Sequence, residues 1–160
     1  MNNEIQYISY EESLMVYRKM IDASEGGFAG VRDEGGILAT LDFIQSDLYY
    51  PTFAEKLSYL VFKFCSGHYF NDGNKRIALT LGTYFLHKNS YFWQATIFMR
   101  QMESIVYHVA ASNIDKDLLL RIMTCFMNGE DYDEELKIDI ANAMSKGELG
   151  INGEDYKVKD

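Results

Sequence analysis

Residues 68–76 bring together the side chains in this sequence that are best suited to chemistry. His68 carries an imidazole, which can accept a proton from a hydroxyl group at neutral pH. Asp72 supplies a carboxylate, and one carboxylate together with phosphate oxygens is a common ligand set for Mg²⁺. The segment therefore contains a candidate general base and a candidate metal ligand close together.

An anion site is predicted directly after Asp72. Gly73, Asn74 and Lys75 would form the first turn of a helix, where unpaired backbone N–H groups and the helix dipole favour an anion. Glycine lets a phosphate approach the backbone closely, and Arg76 can contact two phosphate oxygens at once. Because the carboxylate would repel that phosphate, a cation such as Mg²⁺ is expected between them. Together these groups predict in-line attack of a hydroxyl on a nucleotide phosphate.

Each of these residues also has a structural interpretation. Taken alone, His68 would be a loop or helix-cap histidine, and Lys75 with Arg76 would be a solvated helix start. Cations at a helix N-terminus oppose the helix dipole, so a bound anion explains this pair better. His87 and His108 have no comparable neighbours, and we interpret both as surface or interface histidines.

The periodicity of the remaining chain is mostly helical and predicts an all-α bundle. Capping boxes mark two helix starts, one at Ser9 with Glu12 and one at Thr52 with Glu55. The segment from Gln45 to Pro51 fits either a loop or a small β-hairpin. The other predicted boundaries are a first helix ending at Gly26-Gly27, a short helix opening at 33–36 and continuing through Leu41, and helices over about Gly73–Asn89, Phe98–Ala111, Asp115–Phe126 and Asp133–Ser145.

The size and charge of the chain restrict its partners. Its 160 residues contain no repeat, so we expect one domain over 1–160, with its core at about 9–127 and a C-terminal helix and acidic tail at 130–160. A net charge of −9 argues against nucleic acid or a membrane surface as the main partner. The segment 56–88 is instead basic, with Asp72 as its one carboxylate, which suits a small anionic ligand.

The termini and cysteines indicate a cytoplasmic protein. The N-terminus lacks the features of a signal peptide, and no apolar run reaches the ~18–20 residues that cross a bilayer. Cys65 and Cys125 show no metal-ligand spacing, and we interpret them as reduced, buried thiols.

The 68–76 segment resembles the motif of the Fic/Doc family. Its pattern His68-x-Phe70-x-Asp72-Gly73-Asn74-x-Arg76 is similar to the Fic motif His-x-Phe-x-(Asp/Glu)-Gly-Asn-x-Arg-x-x-Arg. It is closer still to the form His-x-Phe-Asn-Asp-(Ala/Gly)-Asn-Lys-Arg of the Doc branch, the death-on-curing toxins. Upstream, residues 30–35 resemble the glycine–hydrophobic–Arg-Asp-Glu-Gly segment common in Doc-like proteins. The resemblance covers about residues 9–90.

The resemblance implies a transferase that modifies a Ser, Thr or Tyr hydroxyl of a target protein, with ATP as co-substrate and Mg²⁺ as the metal. The segment Gln45–Tyr50 corresponds to the flap that aligns the target peptide. The implied roles are general base for His68, core anchor of the loop for Phe70, Mg²⁺ ligand for Asp72, anion nest for Gly73, Asn74 and Lys75, and phosphate contact for Arg76.

Two positions depart from the pattern of AMP-transferring Fic enzymes. Tyr69 replaces a common proline, and Leu79 occupies the place of the second motif arginine, which orients the far phosphates of ATP. The Doc branch also lacks that arginine and is understood to transfer the γ-phosphate. The sequence therefore favours protein phosphorylation over AMP transfer, and both over a catalytically degenerate binding or regulatory module.

The Doc resemblance also implies a toxin that acts on a translation elongation factor and is restrained by an antitoxin protein. Glu25 and Glu148 each stand near a serine in a pattern only partly like the inhibitory motif of the family. Without an arginine at position 79, we do not expect either glutamate to inhibit the site.

Overall fold

The computed structural model describes residues 4–24 and 30–158, with side chains as far as residue 146. This part of the chain contains seven helices and no strand, which confirms the all-α fold class. One isolated antiparallel bridge joins Val31 to Phe70. The helices are α1 (Tyr10–Ala23), α2 (Glu34–Phe43), α3 (Phe53–Ser66), α4 (Asn74–Lys88), α5 (Phe92–Ala110), α6 (Lys116–Asn128) and α7 (Glu134–Val158).

Side-chain caps set the starts of several helices, as their sequences predict. Ser9 and Glu12 form a complete capping box at α1, and Thr52 and Glu55 form another at α3. Asp33 caps α2 by accepting a hydrogen bond from the backbone N–H of Gly36 at 2.8 Å. The start of α4 differs, because its N-cap residue is Gly73 and no side chain caps it.

The core is centred on α3, α4 and α5, with α1, α2, α6 and α7 packed around them. Phe64, Phe85 and Phe98 are fully buried where these helices meet. At Gly82 a Cβ atom would lie 2.6 Å from the ring of Phe98, so the glycine is what allows α4 and α5 to approach so closely. Helix α4, at whose start the anion site is predicted, is thereby held close to α5.

Two predicted boundaries are wrong. Helix α5 begins at Phe92, not near Phe98. Its first turn presents exposed aromatic side chains and Ala95 is its first buried residue, so this turn lacks the buried apolar pattern from which a helix is predicted. Helix α7 continues to Val158, well past the predicted end at Ser145. Glycine in a helix interior costs only about 1 kcal/mol, so the glycines after Ser145 need not end the helix. The predicted stop at Gly26-Gly27 lies outside the described residues.

The segment 44–51, which we call the flap segment, forms turns, so the loop interpretation holds and the hairpin does not. Within it, the backbone N–H of Tyr50 donates to the carbonyl of Ser46 at 2.9 Å. No helix in the described part of the chain is both long and apolar enough for a membrane span.

Candidate active site

A cleft of about 380 Å³ opens at the start of α4. The loop 68–72 forms one wall, and the ends of α3 and α5 contribute Cys65 and Ala110. The predicted residues His68, Asp72, Gly73, Asn74, Lys75 and Arg76 all line it, together with Asn71. The structure therefore brings the candidate base, metal ligand and anion site to a single concave surface.

The first turn of α4 presents unpaired backbone donors to this cleft. Among the described residues, the N–H groups of Asn74, Lys75 and Arg76 have no protein acceptor. The N–H of Gly73 donates to Asp72 Oδ1 at 2.8 Å. Gly73 has φ +77°, a left-handed conformation that glycine adopts without strain and that turns the chain into the helix. An anion at this position would meet three free donors and the positive end of the helix dipole.

His68 projects from the loop into solvent at the cleft. Its φ of +52° lies in the left-handed region, which histidine adopts more often than most side chains do. This backbone turn leaves His68 exposed while Tyr69 and Phe70, the next two residues, are buried. The imidazole is therefore accessible to a hydroxyl from another molecule.

Phe70 and Asn74 hold the loop from inside the protein. The Phe70 ring is 1% exposed and stacks on Tyr17 of α1 with ring centroids 3.9 Å apart. The side chain of Asn74 accepts a hydrogen bond from the N–H of Phe70 at 3.1 Å and donates to its carbonyl at 3.0 Å. The hydroxyl of Tyr17 donates to the carbonyl of Asp72 at 2.9 Å. The amide side chain of Asn74 thus braces the loop, and its backbone N–H remains available for an anion.

The segment 30–33 holds the loop from the other side. The carbonyl of Gly30 accepts a hydrogen bond from the N–H of Asn71 at 3.0 Å, and the carbonyl of Tyr69 accepts from the N–H groups of Arg32 and Asp33 at 2.8 and 3.0 Å. This pairing explains why a sequence segment far from the motif belongs to the same site. The segment 30–33 lies directly before α2, so its hydrogen bonds connect that helix to the loop.

Tyr69, the departure from the proline pattern, is part of this support. Its hydroxyl is hydrogen-bonded to that of Thr40 on α2 at 2.7 Å. Its ring packs against both Gly36 and Gly67, where added Cβ atoms would lie 2.4 and 2.5 Å from it. Burial raises the pKa of Tyr69, so the phenol stays neutral. A large buried side chain here holds the backbone next to His68.

Asp72 meets the requirements of a single carboxylate ligand for Mg²⁺. Its side chain is about half exposed at the cleft, with Oδ1 near the helix start and Oδ2 3.6 Å from Arg76 Nη2. Among the described residues no three His, Cys, Asp or Glu side chains converge as a metal site. A half-exposed carboxylate together with nucleotide phosphate oxygens and water is a donor set that Mg²⁺ would accept.

The cationic side chains flank the cleft. Lys75 is exposed, with its Nζ 6.0 Å from the ring centroid of Tyr107 on α5. Arg76 Nη1 donates to the hydroxyl of Ser24, the C-cap residue of α1, at 2.6 Å. Cys65 also borders the cleft, but burial raises the pKa of its thiol to about 11. Such a thiol is protonated at neutral pH and is a poor nucleophile.

The sequence interpretation missed three residues that shape the site: Tyr17, Ser24 and Thr40. Each reaches the motif across a large sequence separation, and no local pattern marks any of them. Leu79, in place of the second motif arginine, is partly buried against the core. Glu25 and the side chains of the predicted acidic tail after residue 146, including that of Glu148, lie outside the described residues.

A comparison with protein families agrees with this geometry. The model of the Fic/DOC family matches residues 7–86, which is half of the chain. The chain therefore belongs to the Fic/DOC family, and the resemblance drawn from residues 68–76 is confirmed. No match was found among curated proteins or among solved structures. Family membership supports a Fic-type transferase that acts on protein targets.

Proposed function

We propose that this protein transfers the γ-phosphoryl group of ATP to a Ser, Thr or Tyr hydroxyl of a target protein. The observation that carries this proposal is the cleft lined by exposed His68 and by three residues of α4 whose N–H groups have no acceptor in the described part of the chain. In-line phosphoryl transfer needs little beyond a positioned hydroxyl and stabilisation of the phosphate charge. In the cleft, His68 would accept the proton of the hydroxyl, and the N–H groups of α4 would stabilise the phosphate charge.

Each residue of the site would have its own role in the reaction. His68 accepts the proton of the target hydroxyl, whose oxygen attacks the γ-phosphorus. The bond from that phosphorus to the β,γ-bridging oxygen breaks, and ADP leaves with the bond electrons. The N–H groups of Asn74, Lys75 and Arg76, with the two cationic side chains, stabilise the phosphate oxygens. When bound at Asp72, Mg²⁺ would supply further positive charge to those oxygens.

Leu79 favours the γ-phosphate over AMP as the transferred group. The AMP-transferring relatives of the motif use an arginine at this position to orient the far phosphates, and leucine cannot form such contacts. AMP transfer by the same site is the second candidate. A Doc-like role, in which the target belongs to translation and an antitoxin restrains the enzyme, is part of the same proposal.

Labelled ATP tests the proposal. Purified protein with Mg²⁺ and a cell extract is incubated with ATP labelled at either the α- or the γ-phosphate. Label from the γ position should appear on a protein, and a His68→Ala variant should lower the rate by about 10²–10⁴-fold. Because His68 is exposed, this variant should keep its fold. Label from the α position would establish AMP transfer instead, and transfer unchanged in His68→Ala would contradict the role of the base.

A further inference from the structure

The hydroxyl of Ser24 links the end of α1 to Arg76. Ser24 Oγ lies 3.1 and 3.2 Å from the carbonyls of Met20 and Ile21, to which it donates, and it accepts a 2.6 Å hydrogen bond from Arg76 Nη1. A hydroxyl has one proton, and the two carbonyls share it. Its lone pairs are therefore left facing the guanidinium.

The same guanidinium has a competing partner. Arg76 Nη2 is 3.6 Å from Oδ2 of Asp72, the residue four positions earlier in the chain. The side chain of Arg76 is 43% exposed. This separation is too long for a hydrogen bond but short enough for electrostatic attraction. If nothing held Nη1, the long arginine side chain would be free to close on Asp72 and occupy the carboxylate proposed to bind Mg²⁺.

We propose that Ser24 is a positioning residue for nucleotide binding, which acts by holding Arg76 away from Asp72. This inference rests on the proposed function, in which Arg76 contacts phosphate and Asp72 binds Mg²⁺. The hydrogen bond fixes one end of the guanidinium, and the remaining N–H donors stay available for phosphate oxygens. Ser24 itself contacts neither phosphate nor target.

Removal of the hydroxyl should weaken nucleotide binding. We expect Ser24→Ala to raise the Kd for ATP·Mg²⁺ about fivefold to twentyfold, while the rate at saturating ATP changes less than twofold, because the contact is made in the ground and transition states alike. Ser24→Thr should restore the affinity, since its hydroxyl reaches the same partners and its backbone (φ −104°, ψ 130°) suits threonine. Thr124→Ala, at an exposed position of α6, is the matched control, because it also removes a hydroxyl bonded to the carbonyl four residues earlier.

A double-mutant cycle shows whether Ser24 acts through Arg76. If it does, Ser24→Ala should have no further effect on ATP·Mg²⁺ affinity once Arg76→Ala is present. Calorimetric titration of the full chain measures Kd, and thermal melting checks that each variant is folded. Independent effects of the two substitutions, or a lower Kd in Ser24→Ala, would overturn the inference. The labelled-ATP experiment tests the proposed function, whereas the affinity measurements test the role of Ser24, so either proposal can be contradicted without the other. A wild-type chain that binds no ATP·Mg²⁺ would overturn both.

Discussion

The loop 68–72 and the flap segment 44–51 lie on the same protein but are held in very different ways. Backbone pairing with 30–33, the side chain of Asn74 and the stacked rings of Tyr17 and Phe70 all fix the loop. The flap segment contacts α3 through Lys56, a fully buried residue of that helix, and through the packed rings of Tyr50 and Tyr59. Lys56 Nζ donates to the carbonyl of Ile44 and to Asp47 Oδ1, both at 2.9 Å.

The two segments also differ in what they expose. The loop buries Tyr69 and Phe70 and leaves polar groups at the cleft, whereas the flap segment exposes Leu48 at 83% and Tyr49 at 67%. Catalytic groups must be held within a fraction of an ångström, and polar groups at a rigid site meet that demand. Exposed apolar side chains suit contact with another protein. Under the proposed function, the loop would carry the chemistry and the flap segment would contact the target protein.

Gly36→Ala should disturb the loop most. The new Cβ would lie 2.4 Å from the Tyr69 ring and 2.7 Å from Asp33 Oδ2, and Gly67 also packs closely against that ring. We expect a loss of roughly 2–3 kcal/mol in the free energy of unfolding, measured with urea, and a lower transfer rate. Gly35→Ala is the matched control, because its Cβ would meet only Asp33 at 3.6 Å. Equal stability of the two variants would show that Tyr69 is not confined as described.

Lys56→Met should loosen the flap segment without affecting the loop. The methionine fills similar space but leaves the carbonyl of Ile44 without its donor, which costs about 1–3 kcal/mol. The KM for the target protein should rise while the Kd for ATP·Mg²⁺ stays the same. Lys63→Met, on the same helix and half-buried, serves as control. A change in ATP affinity in Lys56→Met would mean that the two segments are coupled.

A pH-sensitive group, Glu12, joins α1 to α4. Burial raises the pKa of Glu12, but hydrogen bonds from Lys88 and Tyr84 and from the backbone of Ser9 outweigh this and lower it to about 2. Because the folded pKa lies below the unfolded value near 4.5, the contribution of Glu12 is fully present above pH 4.5 and declines as the pH falls towards 2.

Unfolding of Glu12→Gln at pH 7 and at pH 3 tests this contribution. We expect the wild type to be more stable by about 1–2 kcal/mol at pH 7 and by clearly less at pH 3. Glu11→Gln, an exposed neighbour in the same first turn, should show little difference at either pH. A gap between wild type and Glu12→Gln that is the same at both pH values would contradict the lowered pKa.

Leu48→Ser should have the smallest effect on the protein itself. Its side chain is almost fully exposed, so the free energy of unfolding should change by less than about 0.5 kcal/mol. The KM for the target protein should rise about threefold to tenfold, because apolar contact area is lost. Ile138→Ser on α7 is the control, since Ile138 is also an exposed apolar residue and belongs to another helix. An unchanged KM in Leu48→Ser would remove the flap segment from target binding.

The sequence predicted those parts of the fold and site that short segments determine. The capping boxes at Ser9 and Thr52 give the starts of α1 and α3, and Gly73 gives the start of α4. Each depends on residues within four positions of one another, so the pattern is visible in the chain. The common cleft of His68, Asp72 and Arg76 follows from the same local spacing.

The remaining features depend on long-range packing that no short pattern encodes. The contacts of Tyr17 with Asp72, of Thr40 with Tyr69 and of Ser24 with Arg76 join residues far apart in the chain. The start of α5 at Phe92 was missed because Tyr91 provides no side-chain cap. Asn74 was predicted as part of the anion nest, yet its side chain braces the loop, a role that only the position of Phe70 reveals.

The central claim is that the free N–H groups at the start of α4 bind nucleotide phosphate. NMR titration of the ¹⁵N-labelled chain with ATP·Mg²⁺ tests it directly, because each backbone amide reports separately. The amide resonances of Asn74, Lys75 and Arg76 should shift strongly and saturate together, while those of residues 44–51 should shift little. Unmoved resonances at these three amides, with shifts elsewhere or none at all, would contradict the account.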